Sequence, residues 1–139
     1  MPLRHQFFAL LLLLTACNRQ SDAQLQAKLA GTWKLSQPVD APPVNSTVIV
    51  GTRGNFDCEV ISTNSDGIAR TSTLSGTMEV RNGLLIDTTT KHSQTNAPLP
   101  MISTSSIIRL DAQELVLKFV PDNSTYYPTN EFIFRKEAK

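Results

Sequence analysis

Histidine, cysteine and aromatic residues are scarce in this chain, and each scarcity excludes some chemistry. Of 139 residues, two are histidine, two are cysteine and one is tryptophan, and aromatics make up 6%. His5 lies in the opening segment, which leaves His92 as the one histidine downstream. One histidine and one cysteine cannot build a zinc site of the usual kind. Gly-x-Ser-x-Gly, Walker and Cys-x-x-Cys patterns are all missing. No catalytic residue, metal ligand or cofactor is therefore assigned, and the chain is not read as an enzyme. His92, beside proline-bearing sequence, is read as a solvated loop residue. A base or ligand role is the lesser alternative. Net charge is also missing. Lys plus Arg number 13 and Asp plus Glu 12, and residues 1–16 hold only Arg4 of these, so 12 of each sign remain beyond them. A neutral domain has no electrostatic footprint for nucleic acid. Long apolar runs are absent too. The longest, Phe7 to Leu14, has eight residues. It would span about 12 Å as a helix, where a membrane span needs about 20 residues.

That short run carries information of its own. Arg4 and His5 precede it, and small residues follow it. A basic start, a short apolar stretch and small residues before a cut mark a secretory signal. Leu14-Thr15-Ala16-Cys17 resembles the bacterial lipobox. The resemblance implies that Cys17 receives a diacylglycerol, that residues 1–16 are removed, and that the new amino terminus is acylated, for instance with palmitate. The alternative is an ordinary secretory signal with Cys17 at the cut. Several acyl chains give stable anchoring, where one holds only marginally. Asn18 in place of Asp resembles lipoproteins sorted to the outer membrane. The expected location is the bacterial envelope, lipid-anchored in the outer membrane and facing the periplasm. With Cys17 acylated, Cys58 has no partner in the chain. A lone thiol in an oxidising compartment is safest buried, and Cys58 is expected on an inward face.

Residues 17–24 read as lipidated cysteine and tether, and 25–139 as one domain. Ser21 and Gln24 match a capping box, and Leu25 and Leu29 share a helical face, so a short helix is expected over Asp22–Leu29. Alternating apolar and polar residues then predict eight strands: from Gly31, and over 47–51, 55–63, 68–80, 84–91, 102–110, 115–120 and 127–136. Prolines 38, 42 and 43 enforce a long loop after the first. Two hairpins fix register by keeping one face apolar. A three-residue loop at Ser65-Asp66-Gly67 pairs Val60 with Ser72, Cys58 with Leu74 and Phe56 with Gly76. A three-residue loop at Arg81-Asn82-Gly83 pairs Val80 with Leu84 and Met78 with Ile86. A two-residue Asn82-Gly83 loop would instead put Asp87 inside.

Following the ends of an up-and-down barrel, Trp33, Val80, Leu84, Leu110, Leu115 and Arg135 gather at one end, which is greasy and closed. The other end collects the longer loops, with inward Ser62, Arg70, Ser72, Thr88 and Thr90. Gly31-x-Trp33 after a short helix, eight strands and an Arg near the end of the last resemble the lipocalin-like proteins of bacteria. So do Gly76-Thr77-Met78-Glu79-Val80 before Asn82-Gly83-Leu84, and Leu110 to Leu115. The resemblance covers Leu29 to Lys136. It implies an all-β, eight-stranded antiparallel up-and-down barrel of the calycin type with a short N-terminal helix. It also implies Arg135 across the Trp33 ring at the barrel base.

Two functions follow. One is an anchored carrier or sensor of a small apolar or amphipathic ligand held in the barrel. Arg70 lies inward in this register with no neighbouring inward acid. A lone buried charge is costly, so an anionic head such as a fatty-acid carboxylate could pair with it, its tail over Leu74, Met78 and Ile86. The other reading of Arg70 has it reaching past the rim into water, or turned outward by a bulge. The second function is an envelope interaction or inhibitor protein, its barrel filled and its loops presented to a protein partner whose identity the sequence leaves open.

Overall fold

A computed structural model describes residues 20–37, 44–120 and 131–138. The expected capping box starts the one helix among the described residues, α1 (Asp22–Leu29): the Gln24 N–H donates to Ser21 Oγ at 3.3 Å and the Ser21 N–H to Gln24 Oε1 at 3.0 Å. Eight strands follow: β1 (Gly31–Gln37), β2 (Val44–Val50), β3 (Asn55–Thr63), β4 (Ala69–Arg81), β5 (Leu84–His92), β6 (Met101–Leu110), β7 (Glu114–Phe119) and β8 (Glu131–Lys136). Each pairs antiparallel with the next, and β8 pairs with β1, so the sheet closes into an up-and-down barrel. Closure removes the exposed sheet edges that would otherwise template aggregation. The architecture is compatible with a lipocalin-like small barrel. The first part of the eighth predicted strand, 127–130, lies outside the described residues, as do the lipobox and the loop at 38–43.

The β3–β4 hairpin has the expected register throughout, including Val60 opposite Ser72, Cys58 opposite Leu74 and Ser62 opposite Arg70. Its loop closes with the Gly67 N–H donating to the Asn64 carbonyl at 3.0 Å, and Gly67 sits at φ +76°. The β4–β5 hairpin differs by one residue from expectation. Val80 pairs with Leu85, and Arg81 with Leu84, so the loop is the two residues Asn82 and Gly83. Both have positive φ, +53° and +74°. That is the twist-matched type I′ geometry which Asn-Gly favours. The slip turns over the β5 side chains from Leu84 to Thr89. Leu85 enters the core at 2% exposure, and Met78 faces Asp87.

Beyond a bulge the expected parity of facing returns, while the pairing itself moves one residue further along. Between Gly76–Thr89 and Ser75–Lys91, β5 carries the extra residue Thr90. Gly76 makes this possible, since a Cβ there would overlap the Thr88 carbonyl oxygen. The inward threonine is therefore buried Thr89, and not Thr88 or Thr90.

The core lies toward the base, where α1 plugs the barrel. Leu29, Trp33, Val48, Val50, Phe56, Val80, Leu85, Leu110 and Leu115 form one buried cluster. Burying each such side chain contributes about 1.5–3 kcal/mol. Gln26 stitches the helix to the sheet. Its Nε2 donates to the Met78 carbonyl at 3.1 Å, and the Val80 N–H donates to its Oε1 at 2.7 Å. These are backbone groups where β4 runs past the start of β3, so the amide replaces a missing strand. Asp22 accepts the N–H groups of Asn82 and Gly83 at 2.6 and 2.9 Å. No helix among the described residues is long and apolar enough to cross a membrane.

Candidate functional site

At the base, Trp33 is 1% exposed and its indole N–H donates to the Leu29 carbonyl at 2.7 Å. The cation over its ring is Lys136, with Nζ 4.9 Å from the centroid, and not Arg135. Alternation decides this. Phe134 and Lys136 lie on the inward parity of β8, opposite Leu35 and Trp33, whereas Arg135 pairs with Lys34 and is exposed. Lys136 Nζ also donates to the Lys28 carbonyl at 3.2 Å, satisfying an end group of α1. Its stem passes over Gly31, whose φ of +138° and missing Cβ leave the space. The Gly-x-Trp pattern thus has a local cause: glycine admits the lysine stem, and tryptophan receives the charge.

Among the described residues, the core at the base encloses little empty space. The apolar cavity bounded by Leu29, Trp33, Met78, Leu85, Leu117 and Phe134, among others, is about 30 Å³. Ligand pockets run from about 300 to 1,000 Å³. Leu74 and Met78, expected to line a ligand tail, pack against the core cluster. Ile86 pairs with Glu79 on the outer face, so it does not share the interior with them. The one-residue slip is the reason.

Higher up, the lining turns polar on one side. Asp87 lies on the inward face between Leu85 and Thr89, with Met78 and Ser103 as its cross-strand neighbours. Burial pushes its carboxyl above the ordinary carboxylate value, and a hydrogen bond from Ser103 partly offsets this. Thr89 and Ser105 are buried nearby on the same face. Cys58 is half-buried, with Sγ 3.5 Å from Ser46 Oγ. Burial pushes its thiol up, the Ser46 contact opposes that, and the charges of Asp87 and Glu59 add to the rise. A protonated thiol is a poor nucleophile. Phe119 and Phe132 meet edge to face on the other side, with centroids 4.8 Å apart.

At the mouth, Arg70 sits opposite Ser62 as expected, and both are exposed. Arg70 is in none of the three ion pairs among the described residues. His92 is inward opposite Leu74, and its Nδ1 accepts the Gln94 N–H at 2.9 Å. Among the described residues, no three His, Cys, Asp or Glu side chains gather to hold a metal. Outside, a groove of about 730 Å³ across β1–β5 carries both signs of charge: Lys34 and Lys91 beside Asp57, Glu59 and Glu137.

Sequence reasoning missed Lys136, Asp87, Gln26 and Asp22. The parity of Phe132, Phe134 and Lys136 could have found the first, and the Asn-Gly dipeptide the second. Nothing local marks the other two, because their partners lie more than fifty residues away. No protein-family model matches the chain, and no curated protein matches it in sequence.

Proposed function

We propose that the protein is a bacterial envelope lipoprotein, anchored through acylated Cys17, whose filled lipocalin-like barrel serves as an interaction module for another envelope protein. The observation that carries this reading is that the apolar cavity among the described core residues is only about 30 Å³. Liquid water takes about 30 Å³ per molecule, so this space is far short of a fatty-acid tail. The residues a carrier would use to hold a tail, Leu74 and Met78, are spent on packing. Toward the mouth, Ile68, Leu99, Ile102 and Val120 are exposed, and a partner that covered them would bury apolar surface.

Native mass spectrometry of the secreted Cys17→Ser protein tests it. The expected mass is that of the bare polypeptide. A stoichiometric apolar compound that survives buffer exchange would overturn the filled-barrel reading in favour of the carrier. Anchoring is tested separately, by loss of palmitate labelling and of membrane fractionation in Cys17→Ser.

A further inference from the structure

The geometry points to the closed base of the barrel as the face that rests on the lipid bilayer, with the mouth held away from it. The inference rests on acylation of Cys17, and it follows from the place of Gln20 at the base. Three peptide steps link Cys17 to Gln20, so their Cα atoms lie at most about 11 Å apart however the chain runs. Gln20 is at the base. It lines a groove of about 980 Å³ with Asp22, Leu25, Asn82 and Ile108. Asp22 is bound to the Asn82–Gly83 turn, so the helix start cannot swing toward the mouth without breaking those bonds.

The same face carries the side chains a lipid interface takes. A bulge between Ile107 and Arg109 shifts the β6 register against β7. The shift leaves Ile108 and Arg109 both exposed, while Leu110 returns to the core. Ile108 is 55% exposed and belongs to the groove. An isoleucine beside an arginine suits the boundary between acyl chains and headgroups. Arg109 also pairs with Glu114 at 2.8 Å, so the face is amphipathic and not strongly basic. A short tether therefore presses an apolar side chain toward lipid without help from a charged patch.

Strand β6 supplies the test, because Ile102 and Ile108 sit near its two ends, about 20 Å apart. The full acylated protein is reconstituted in phosphatidylethanolamine–phosphatidylglycerol vesicles carrying a headgroup nitroxide. A fluorophore is attached through Ile108→Cys or Ala112→Cys at the base, and Ile102→Cys or Asp66→Cys at the mouth, in a Cys58→Ala background. All four positions are exposed, and Ala112→Cys repeats the measurement should Ile108→Cys misfold. Severalfold stronger quenching at the two base positions is expected. Equal or reversed quenching, in protein whose acyl mass is verified, overturns the orientation alone. Absence of the acyl mass overturns the anchoring and this inference with it.

Discussion

Single side chains in this barrel carry charge into places where it costs stability, and Asp87 is the clearest case. Its carboxyl is inward, and burial raises its pKa. The folded state therefore holds that proton more tightly than the unfolded chain. Below the ordinary carboxylate value both states are protonated and nothing is lost. As pH rises through that value, the unfolded state ionises first, and stability falls until the folded carboxyl ionises as well. Asp87→Asn should therefore raise the urea midpoint at about pH 7, with the gain shrinking toward zero at about pH 3. A variant less stable than wild type at neutral pH would show that the ionised carboxylate is paired. Lys136 is the opposite case, since its charge has two uses, the Trp33 face and the Lys28 carbonyl. Lys136→Met keeps much of the stem and should cost about 1–3 kcal/mol, from cation–π and capping together. Arg135→Met, on an exposed residue, should cost within about 0.5 kcal/mol. Trp33→Ala should cost about 3–5 kcal/mol, because a large buried side chain is removed. Thermal unfolding of the three variants ranks them, and the reverse order for Lys136 and Arg135 would restore the expected Arg135 pair.

The elements were legible where one local rule acted alone. The Ser21–Gln24 box gave α1, and alternation with turn residues gave the strands. The β3–β4 register followed from requiring one apolar face. The same requirement misled at β4–β5. It favoured Leu84 and Ile86 inside, but the Asn82–Gly83 turn won because both residues accept left-handed φ and Asp22 binds both N–H groups. A bulge at Thr90 then confined the polar consequence to Asp87 and Thr89. Bulges leave little trace in a single sequence, so the interior of β5 could not be read in advance. The helix, in turn, is held to the sheet by the polar contacts of two side chains, Gln26 and Asp22, beside its buried Leu29. Gln26→Leu leaves the Val80 N–H and Met78 carbonyl without their partner, and should cost about 1–3 kcal/mol. Amide exchange at Val80 should quicken severalfold, while exchange in the β3–β4 hairpin at the mouth stays unchanged. Uniform acceleration across the sheet would mean that Gln26 acts only through global stability.

At the scale of the whole molecule, the decisive property is that the base of a closed barrel is packed. Eight strands make a barrel whose interior is either packed or just large enough for one small ligand. Here α1 caps the base with Leu29 at 0% exposure, and Trp33 and Leu85 occupy the space above it. The fold class was legible because strand count and turn spacing set it. Filling was not, because it depends on which large side chains meet across the barrel after every register is fixed. Filling can be reversed by one substitution. Leu29 lines the existing cavity, so Leu29→Ala should join the vacated volume to it and cost about 2–5 kcal/mol. An engineered cavity lined by aliphatic and aromatic side chains stays dry and admits small apolar molecules. Ligand that binds only the folded state raises its stability by mass action. Benzene at saturation should therefore raise the melting temperature of Leu29→Ala and leave that of wild type unchanged. Stabilisation of both proteins to the same extent would mean that the native interior already holds room for a ligand. The barrel would then be a container, and the case for an interaction module would lose its main support. Stabilisation of neither would mean that α1 or its neighbours collapse into the gap. A destabilisation at the low end of the range should accompany that collapse, since the cost grows with the cavity that remains.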